Sequence, residues 1–383
     1  MTDYIVVGAG LSGAAVARHL AEKGKHVTIW DRRQHIGGNM YDYHDEYGIL
    51  VQQYGPHIFH TKNKEVYDYF CRFVQMKPYQ LTYMACIDGK FTPTPFNYQT
   101  IDDFYPADKA AELKKNIEKT FPGRKSATVV EVLQSDDSLV RSYGEFLFAK
   151  DYSLYTAKQW GIAPEKVDPS ILKRVPLVFG YERDYFADPW QAMPETSFTD
   201  FFKALLNHPN IEVKLGVEAL QHLRISDDGT RLLLDGIPCP VPVVYTGALD
   251  ELFNADEGPL PYRSLRFEWH HEDKTSHQEA AVTAYPQAAE YTRITEYNKL
   301  PIQVNTNGTT YAVEYPLQYQ PGTRQEPYYP LLTENSQAAA DHYKERAEKI
   351  DKFYFCGRLA DFKYYNMDQA LIRAWELCQQ IDK

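Results

Sequence analysis

The chain has 383 residues, 44% of them hydrophobic and 24% charged. This composition is ordinary for a globular protein and excludes a disordered or fibrous chain. Its 52 acidic and 41 basic residues give a formal charge of −11, which argues against broad binding to nucleic acid or anionic membranes. Length alone predicts roughly two to three domains.

No targeting signal is expected, because the chain enters an apolar strand at Tyr4 without a basic leader. The longest apolar stretch, residues 4–17, contains three glycines and is too short to span a bilayer. Five widely spaced cysteines form no Cys-x-x-Cys pair. This pattern favours buried thiols in a reducing cytoplasm over a metal site or a disulfide framework.

The N-terminal pattern predicts a βαβ unit. An apolar run begins at Tyr4, a helical pattern covers residues 14–21, and a second apolar run covers 27–30. Between the first strand and the helix lies Gly8-x-Gly10-x-x-Gly13, whose glycines permit a tight turn, close approach to a pyrophosphate, and helix–strand packing. The helix N-terminus offers N–H groups to that pyrophosphate. Asp31, 18 residues past Gly13, is placed to accept hydrogen bonds from ribose hydroxyls.

The segment after Asp31 distinguishes flavin from nicotinamide. Arg32 opens a stretch that reaches Gly37-Gly38-Asn39 six or seven residues after the acid. This spacing resembles the extended FAD fingerprint of glutathione-reductase-type flavoproteins, in which the two glycines pass close to the cofactor diphosphate. FAD is therefore the expected cofactor, and a turn that merely needs two glycines is the alternative.

Two histidines follow in Gly55-Pro-His57-Ile58-Phe-His60. Pro56 prevents a helix through the first histidine, and no third metal ligand lies nearby in the sequence. A metal site is therefore not expected. A Gly-Pro turn with aromatic neighbours is more typical of backbone packed against a flat ring.

Residues 100–165 carry long helical patterns and few strand signals. Near their end, aromatic residues recur at spacings of three to five, on roughly one helical face: Tyr152, Tyr155 and Trp160, together with Thr156. By itself such a stripe indicates a hydrophobic core. Beyond it, short strand patterns lie in 211–247, alternating patterns lie in 260–319, and a last strand at 353–359 precedes a helix that begins at Met367.

Several motifs together resemble the UDP-galactopyranose mutase family. They are GAGLSG at 8–13, the Gly37-Gly38-Asn39 turn, GPHIFHT at 55–61, YTAKQWG at 155–161 and YTRITE at 291–296. The resemblance extends from Ile5 to Leu371. The resemblance and the strand patterns predict an α/β fold: a discontinuous Rossmann-like FAD-binding domain with an inserted helical domain and an antiparallel β-sheet domain. The expected segments are 1–75, 197–250 and 338–383 for FAD, 100–165 for the helices, and 76–99, 166–196 and 251–337 for the sheet.

The resemblance also implies roles for individual residues. Catalytic roles fall to Arg174, Arg293 and His57, with Arg174 on a mobile loop at 168–176. Contacts to the uracil base of the substrate are expected from Tyr152, Tyr155, Thr156 and Trp160. Contacts to its diphosphate are expected from Arg174, Arg293, Tyr329 and Tyr364, and further substrate contacts are expected from Tyr185 and Asn366. FAD contacts are expected from Gly8, Gly10, Ser12, Gly13, Asp31, Arg32, Gly38, Asn39, His57, Ile58, Gly357, Arg358, Met367, Asp368, Gln369 and Ala370.

The implied reaction interconverts UDP-galactopyranose and UDP-galactofuranose without net redox change, although the FAD must be reduced. Flavin N5 attacks the anomeric carbon, UDP leaves, the sugar ring opens through a flavin iminium and recloses, and UDP returns. The implied partners are a UDP-sugar, a reductant such as NAD(P)H or a flavin-reducing system, and a second copy in a homodimer. Surface polysaccharides are the expected destination of the product.

Three departures from the family pattern leave the hexose open. Leu81 and Ala284 stand where sugar-contacting asparagines are expected, and Asn366 stands where many bacterial members carry aspartate. His60 favours galactose over N-acetylgalactosamine. The alternatives are a sister mutase for a deoxy or N-acetyl hexose, an FAD amine oxidase or desaturase, and a redox-inactive FAD-binding subunit.

Overall fold

The computed structural model describes residues 2–161, 163, 176–304, 306–323 and 325–383. Arg174, and every residue of the predicted loop 168–176 except Pro176, lie outside these residues.

The strands fall into several sheets, and their bounds follow in chain order. They are β1 (Tyr4–Val7), β2 (Val27–Asp31), β3 (Asp42–His44), β4 (Leu50–Gln52), β5 (Phe59–Thr61), β6 (Met76–Pro78), β7 (Tyr83–Ile87), β8 (Lys90–Pro93), β9 (Ser126–Thr128), β10 (Pro176–Val178), β11 (Trp190–Pro194), β12 (Ile211–Leu215), β13 (Leu223–Ile225), β14 (Leu232–Leu234), β15 (Ile237–Pro238), β16 (Val243–Tyr245), β17 (Tyr262–Glu272), β18 (Val282–Ala284), β19 (Arg293–Glu296), β20 (Thr309–Gln318), β21 (Tyr329–Pro330) and β22 (Phe353–Phe355).

The helices lie between these strands, except for the last helix, which follows β22. They are α1 (Leu11–Glu22), α2 (Lys64–Cys71), α3 (Tyr98–Phe104), α4 (Ala107–Thr120), α5 (Val129–Leu133), α6 (Ser138–Leu147), α7 (Ser153–Trp160), α8 (Phe198–Leu206), α9 (Leu249–Leu252), α10 (Glu334–Ala347) and α11 (Met367–Ile381), with a π-helical turn at Phe148–Tyr152.

A five-stranded parallel sheet in the order β12-β2-β1-β16-β22 forms the centre of the nucleotide-binding part. Its strands come from four separated parts of the chain, and every neighbouring pair is parallel. Val6, Ile29 and Val244 are fully buried, as expected for strands covered on both faces. Helices α1 and α11 pack on each other beside it. The predicted α/β class with a discontinuous Rossmann-like sheet is confirmed, whereas the exact domain boundaries stay a prediction.

The second large sheet has seven strands in the order β21-β17-β20-β19-β18-β7-β8. It is antiparallel as predicted except at one place, where β18 runs parallel to β7. Antiparallel neighbours can be joined by a tight turn, but parallel neighbours require a long connection. Here helices α3 to α9 and strands β8 to β17 lie between β7 and β18 in the chain. No tight turn therefore sets the direction of β18 relative to β7.

The inserted helices α3 to α7 pack around their own apolar core, which includes Leu113, Ile117, Val140 and Leu147. Helices α6 and α7 form one helical run that is interrupted by the π-helical turn. Such turns insert a residue into the α-helical period and are frequent at functional sites. Within the described part of the chain, no helix is long and apolar enough to cross a membrane.

Candidate active site

The two glycine-rich turns predicted from sequence lie against each other. Gly38 has φ +56°, and a Cβ at this position would stand 2.9 Å from the Cα of Gly10. A Cβ at Gly13 would stand 2.0 Å from the carbonyl oxygen of Gly8. Side chains at Gly13 and Gly38 would therefore disrupt the packing, and the backbones of 8–13 and 37–38 form a shared cradle.

Helix α1 begins in this cradle with Gly10 as its N-cap residue, so no side chain caps its first N–H groups. Uncapped N–H groups at a helix N-terminus form a site for an anion such as a pyrophosphate. Asp31 stabilises the turn. Its carboxylate accepts hydrogen bonds from the backbone N–H of Ala9 at 2.7 Å and of Arg33 at 2.8 Å. A carboxylate has about four acceptor positions, so Asp31 retains capacity for a ribose hydroxyl.

A cavity runs along the cradle and is lined by most of the residues predicted to bind the cofactor. These are Gly8, Gly10, Ser12, Gly13, Asp31, Arg32, Gly38, Asn39, His57, Gly357, Arg358, Met367 and Ala370. Asn366, predicted as a substrate residue, also lines it.

Three other predicted cofactor residues are not in the cavity lining. Ile58 lies in the hydrophobic core. The Asp368 carboxylate accepts from the Thr61 hydroxyl at 3.0 Å, and the Gln369 side-chain oxygen accepts from the Asn366 backbone N–H at 2.9 Å. For these three residues, cofactor contact stays a prediction.

Glu326 is a cavity residue that sequence reasoning did not single out. Its carboxylate accepts from Arg33 at 2.8 Å and from Arg32 at 3.2 Å. Burial would raise the pKa of Glu326, but the two guanidinium groups outweigh it and lower that pKa. Glu326 comes from a loop far away in the sequence, so no local motif points to it.

His57 is neutral in this environment. The pKa of its imidazole is lowered to about 4, mainly by burial; the bond to the Gly55 carbonyl opposes this change, and the neighbouring Arg358 and Arg293 add to it. That bond joins Nδ1 to the Gly55 oxygen at 2.8 Å, which assigns the proton of the neutral ring to Nδ1. Nε2 can then accept a hydrogen bond at the cavity wall, where Arg358 and Arg293 are the positive neighbours.

Arg293 is held by Glu314 on the neighbouring strand. The guanidinium donates to a single Glu314 carboxylate oxygen from Nε at 2.9 Å and from Nη2 at 2.7 Å. Arg293 is half-buried, with 19% of its side chain exposed, and Glu314 is buried, with 4% exposed. Because a partly buried cation with an ion-pair partner keeps its charge, Arg293 is a fixed positive group beside the cavity.

The predicted phosphate tyrosines form a stacked pair. The rings of Tyr329 and Tyr364 lie 4.9 Å apart and 12° from parallel. Arg358 places its guanidinium 4.7 Å from the centre of the Tyr329 ring. It also donates to the carbonyls of Tyr328 and Tyr365, at 3.3 Å and 2.8 Å. Arg358 thus connects the cofactor cavity with the tyrosine pair.

Arg263 is a second cation at this pair, and sequence reasoning missed it. It stands opposite Tyr329 in the pairing of β17 with β21. Its guanidinium contacts the hydroxyl of Tyr364 and donates to the side-chain oxygen of Gln159 at 3.0 Å. Its Nε is buried without a hydrogen-bond partner among the described residues. Gln159 belongs to the YTAKQWG motif, which is the one sequence signal that leads to Arg263.

The predicted base-binding residues divide into two groups. Tyr152 lies in the helical core, where its ring meets Phe96 edge-on at 5.4 Å. Tyr155 and Thr156 are half-buried, whereas Trp160 at the end of α7 is 42% exposed. Tyr152 is therefore buried in the helical core, whereas Trp160 is exposed at the end of α7.

Tyr155 lies instead in a tyrosine cluster close to Arg293. Tyr83 stacks on Tyr185 with ring centres 4.8 Å apart. Burial raises the pKa of Tyr155 to about 12, against the opposing effect of Arg293. The same arginine opposes the rise in the pKa of Tyr185 that burial causes. Predicted base-binding and diphosphate-binding residues thus meet at this cluster.

Comparison with known proteins identifies the family. Residues 150–364 match the family model described as UDP-galactopyranose mutase, and residues 6–73 match a NAD(P)-binding Rossmann-like domain. The UDP-galactopyranose mutase of Mycoplasma pneumoniae is 34% identical over 99% of this chain and 96% of its own length. The chain belongs to the UDP-galactopyranose mutase family.

Three further proteins are similar to this chain. The dTDP-fucopyranose mutase of Escherichia coli is 32% identical over 99% of this chain and 98% of its own length. A crystal structure of reduced UDP-galactopyranose mutase has the same fold, with a TM-score of 0.69 at 16% identity over 100% of this chain and 95% of that one. An oxidase, putrescine oxidase, also shares the fold at 11% identity and a TM-score of 0.58.

As a member of this mutase family the chain is an isomerase, and its cofactor is FAD. The structure fits that cofactor. The Gly10–Gly38 cradle has no room for a Cβ at Gly38, helix α1 presents uncapped N–H groups, and Asp31 stands at the end of β2. No group of three or more metal-binding side chains is found among the described residues of the mutase.

Proposed function

We propose that this mutase interconverts the pyranose and furanose forms of UDP-galactose. The observation that carries the proposal is the position of Arg293. This fixed cation opposes the rise that burial causes in the pKa of Tyr155 in the tyrosine cluster, and it adds to the lowering that burial causes in the pKa of His57 in the cofactor cavity. It therefore lies within electrostatic range of both groups. The similarity to mutases named for UDP-galactopyranose supports the choice of sugar nucleotide.

Reduced FAD, when bound, supplies the nucleophile for the anomeric carbon, so the protein itself needs to provide none. Arg293 binds the diphosphate and stabilises the negative charge that develops on it as UDP leaves. Arg174, which lies outside the described residues, is proposed to bind the same diphosphate. Tyr329 and Tyr364 present their hydroxyls to the same diphosphate.

His57 and Arg358 act on the cofactor side. Arg358 contributes positive potential at the cavity wall, which favours an anionic cofactor. His57 accepts a hydrogen bond at Nε2 while its Nδ1 proton is held by Gly55. A negative charge on the cofactor would therefore raise the pKa of His57.

A second candidate substrate is a dTDP-linked 6-deoxyhexose such as fucose. Leu81 and Ala284, at positions where polar sugar contacts are expected, are buried, with 3% and 5% of their surfaces exposed. Apolar side chains at these two positions suit a sugar that carries a methyl group in place of a hydroxymethyl group, because no hydroxyl is then left unpaired. The Escherichia coli relative acts, by its name, on dTDP-fucopyranose.

The test is a product assay on dithionite-reduced protein. UDP-galactofuranose and dTDP-fucofuranose are added separately, and the ring isomers are separated by HPLC. Faster conversion of UDP-galactofuranose supports the first proposal, and faster conversion of dTDP-fucofuranose supports the second. Conversion of neither substrate by flavin-loaded, reduced protein would contradict both.

The biological setting belongs to the proposal as well. We infer a cytoplasmic homodimer that is reduced by NAD(P)H or a flavin-reducing system and that supplies furanose sugars for surface polysaccharides. Size-exclusion chromatography with light scattering tests the dimer. Anaerobic bleaching of the flavin absorbance on addition of NADPH tests the reductant.

A further inference from the structure

Lys158 in helix α7 is bound in an unusual way. Its ammonium donates to three backbone carbonyls, those of Tyr285 at 2.6 Å, Ala288 at 2.8 Å and Tyr291 at 2.7 Å. An ammonium has three donors, so all of them are satisfied by one short segment of chain. Segment 285–291 joins strand β18 to strand β19.

The charge on Lys158 is retained near neutral pH. Burial lowers the pKa of Lys158 to about 8, and Asp151, seven residues earlier, opposes that change. Asp151 is itself buried and lies in the π-helical turn that precedes α7. The bonds from Lys158 are therefore charge-assisted, and such bonds are roughly twice as strong as bonds between neutral groups.

The two segments that Lys158 joins carry the two ends of the proposed nucleotide site. Helix α7 carries Tyr155 and Trp160, which are predicted to bind the base. Segment 285–291 leads directly into Arg293, the first residue of β19 and the proposed diphosphate ligand. Lys158 faces neither the cofactor cavity nor the Arg293–Glu314 pair, since its ammonium is occupied by the three carbonyls.

We propose that Lys158 is a positioning residue that fixes the distance between the base-binding helix and the diphosphate-binding arginine. The inference rests on the proposed function, because it assumes that a nucleotide spans these two places. A ligand that binds both ends gains from a fixed spacing, since binding at one end raises the effective concentration at the other. A ligand that binds only one end gains nothing from it.

The experiment compares ligands that occupy one or both ends. Kd values for UDP, uridine and inorganic pyrophosphate are measured on the oxidised holoenzyme, for wild type and for Lys158→Met. Methionine keeps the unbranched apolar stem and removes the three donors. We expect the Kd for UDP to rise by about tenfold, while the Kd values for uridine and pyrophosphate change less than about twofold.

Lys150→Met is the matched control. Lys150 lies in the same helical run, but its ammonium pairs with Asp88 on the surface at 3.0 Å, where both side chains are more than 40% exposed. Exposed pairs of this kind contribute little, so all three Kd values should match wild type. Lys158→Arg, which keeps a cation at the position, should recover most of the UDP affinity.

The outcomes separate this inference from the proposed function. Unchanged UDP affinity in Lys158→Met would overturn the inference, and so would an equal loss for all three ligands, which would indicate general damage to the fold. If Lys158→Met does not fold, the same comparison is made with Lys158→Gln, which retains two donors and should show a smaller selective loss for UDP. Failure of the wild-type holoenzyme to bind UDP would instead overturn the proposed function itself.

Discussion

Arg293 and Glu314 face each other directly across strands β19 and β20. The arginine donates two hydrogen bonds to one oxygen of the glutamate, which fixes the plane of the guanidinium. The direction in which the remaining group, Nη1, points is therefore fixed by the pairing with Glu314. Glu314 is therefore a positioning residue for a cation that would otherwise have several rotamers.

Substitution of Glu314 tests this relationship. Glu314→Gln keeps the shape but removes the charge, and removal of one partner of a buried ion pair costs about 3–5 kcal/mol. For Glu314→Gln we expect kcat/KM of the reduced enzyme to fall by about tenfold or more.

The two arginines give a separate test of the leaving-group role. Arg293→Ala should lower kcat by about a hundredfold. Arg174→Ala should lower kcat similarly if both arginines bind the leaving diphosphate. Near wild-type turnover in both arginine variants, at matched reduced flavin, would refute the leaving-group role.

Arg263 offers a second test, with a control on the same strand. Arg263→Met removes the half-buried cation that contacts Tyr364 and Gln159. UDP affinity should therefore fall by about tenfold, the effect expected from one hydrogen bond to a charged group. Arg266→Met removes a half-exposed arginine whose guanidinium lies 3.8 Å from the centre of the Tyr315 ring. The control should bind UDP as wild type does. Equal affinities in the two variants would exclude a substrate role for Arg263.

The packing of Gly38 on Gly10 predicts that alanine at Gly38 reduces flavin binding, whereas alanine at Gly48 does not. Gly38 and Gly48 both have positive φ, +56° and +80°, but a Cβ at Gly48 would meet nothing within 4 Å. Both alanine variants carry similar backbone strain, of about 1 kcal/mol, whereas only Gly38→Ala also pushes against Gly10. We expect Gly38→Ala to purify with little bound flavin and Gly48→Ala to keep it. The measurement is the ratio of flavin absorbance to protein absorbance, and equal ratios would count against the cradle.

His57 predicts a dependence of stability on pH. Its pKa is about 4 in the folded protein and 6.5 ordinarily, so the unfolded chain takes up the proton first as the pH falls. Stability is therefore lost between pH 6.5 and pH 4, by about 2 kcal/mol at pH 5. His57→Gln should show a smaller drop in apparent Tm between pH 7 and pH 5 than wild type. The same drop in both proteins would show that His57 is not the group responsible.

Local sequence patterns predicted the βαβ unit well, because its strand, glycines and helix are set by neighbouring residues. The glycine spacing predicted that the turns at Gly10 and Gly38 both approach the cofactor, and in the structure both line the same cavity. The parallel pairing of β7 with β18 was not predicted, since pairing between distant strands depends on the whole fold. Arg263 and Glu326 were missed for the same reason: each reaches the site through a partner that is distant in the sequence.

Tyr152 shows a different limit of sequence reasoning. Its spacing from Tyr155 suggested one helical face, on the assumption of 3.6 residues per turn. The π-helical turn at Phe148–Tyr152 changes that period immediately before α7, and Tyr152 lies in the helical core. Its predicted contact with the base stays untested, whereas Tyr155 and Trp160 remain on the regular part of the helix.

The ratio of sugar molecules isomerised to electron pairs supplied tests the central claim most directly. Flavin-loaded protein is reduced anaerobically with a measured amount of dithionite, the excess is removed, and a large excess of UDP-galactofuranose is added. A mutase should convert many sugars per electron pair, lose activity when the flavin is reoxidised, and leave the total sugar unoxidised. At most one sugar converted per electron pair, with an oxidised or reduced product, would show that the chain is an oxidoreductase.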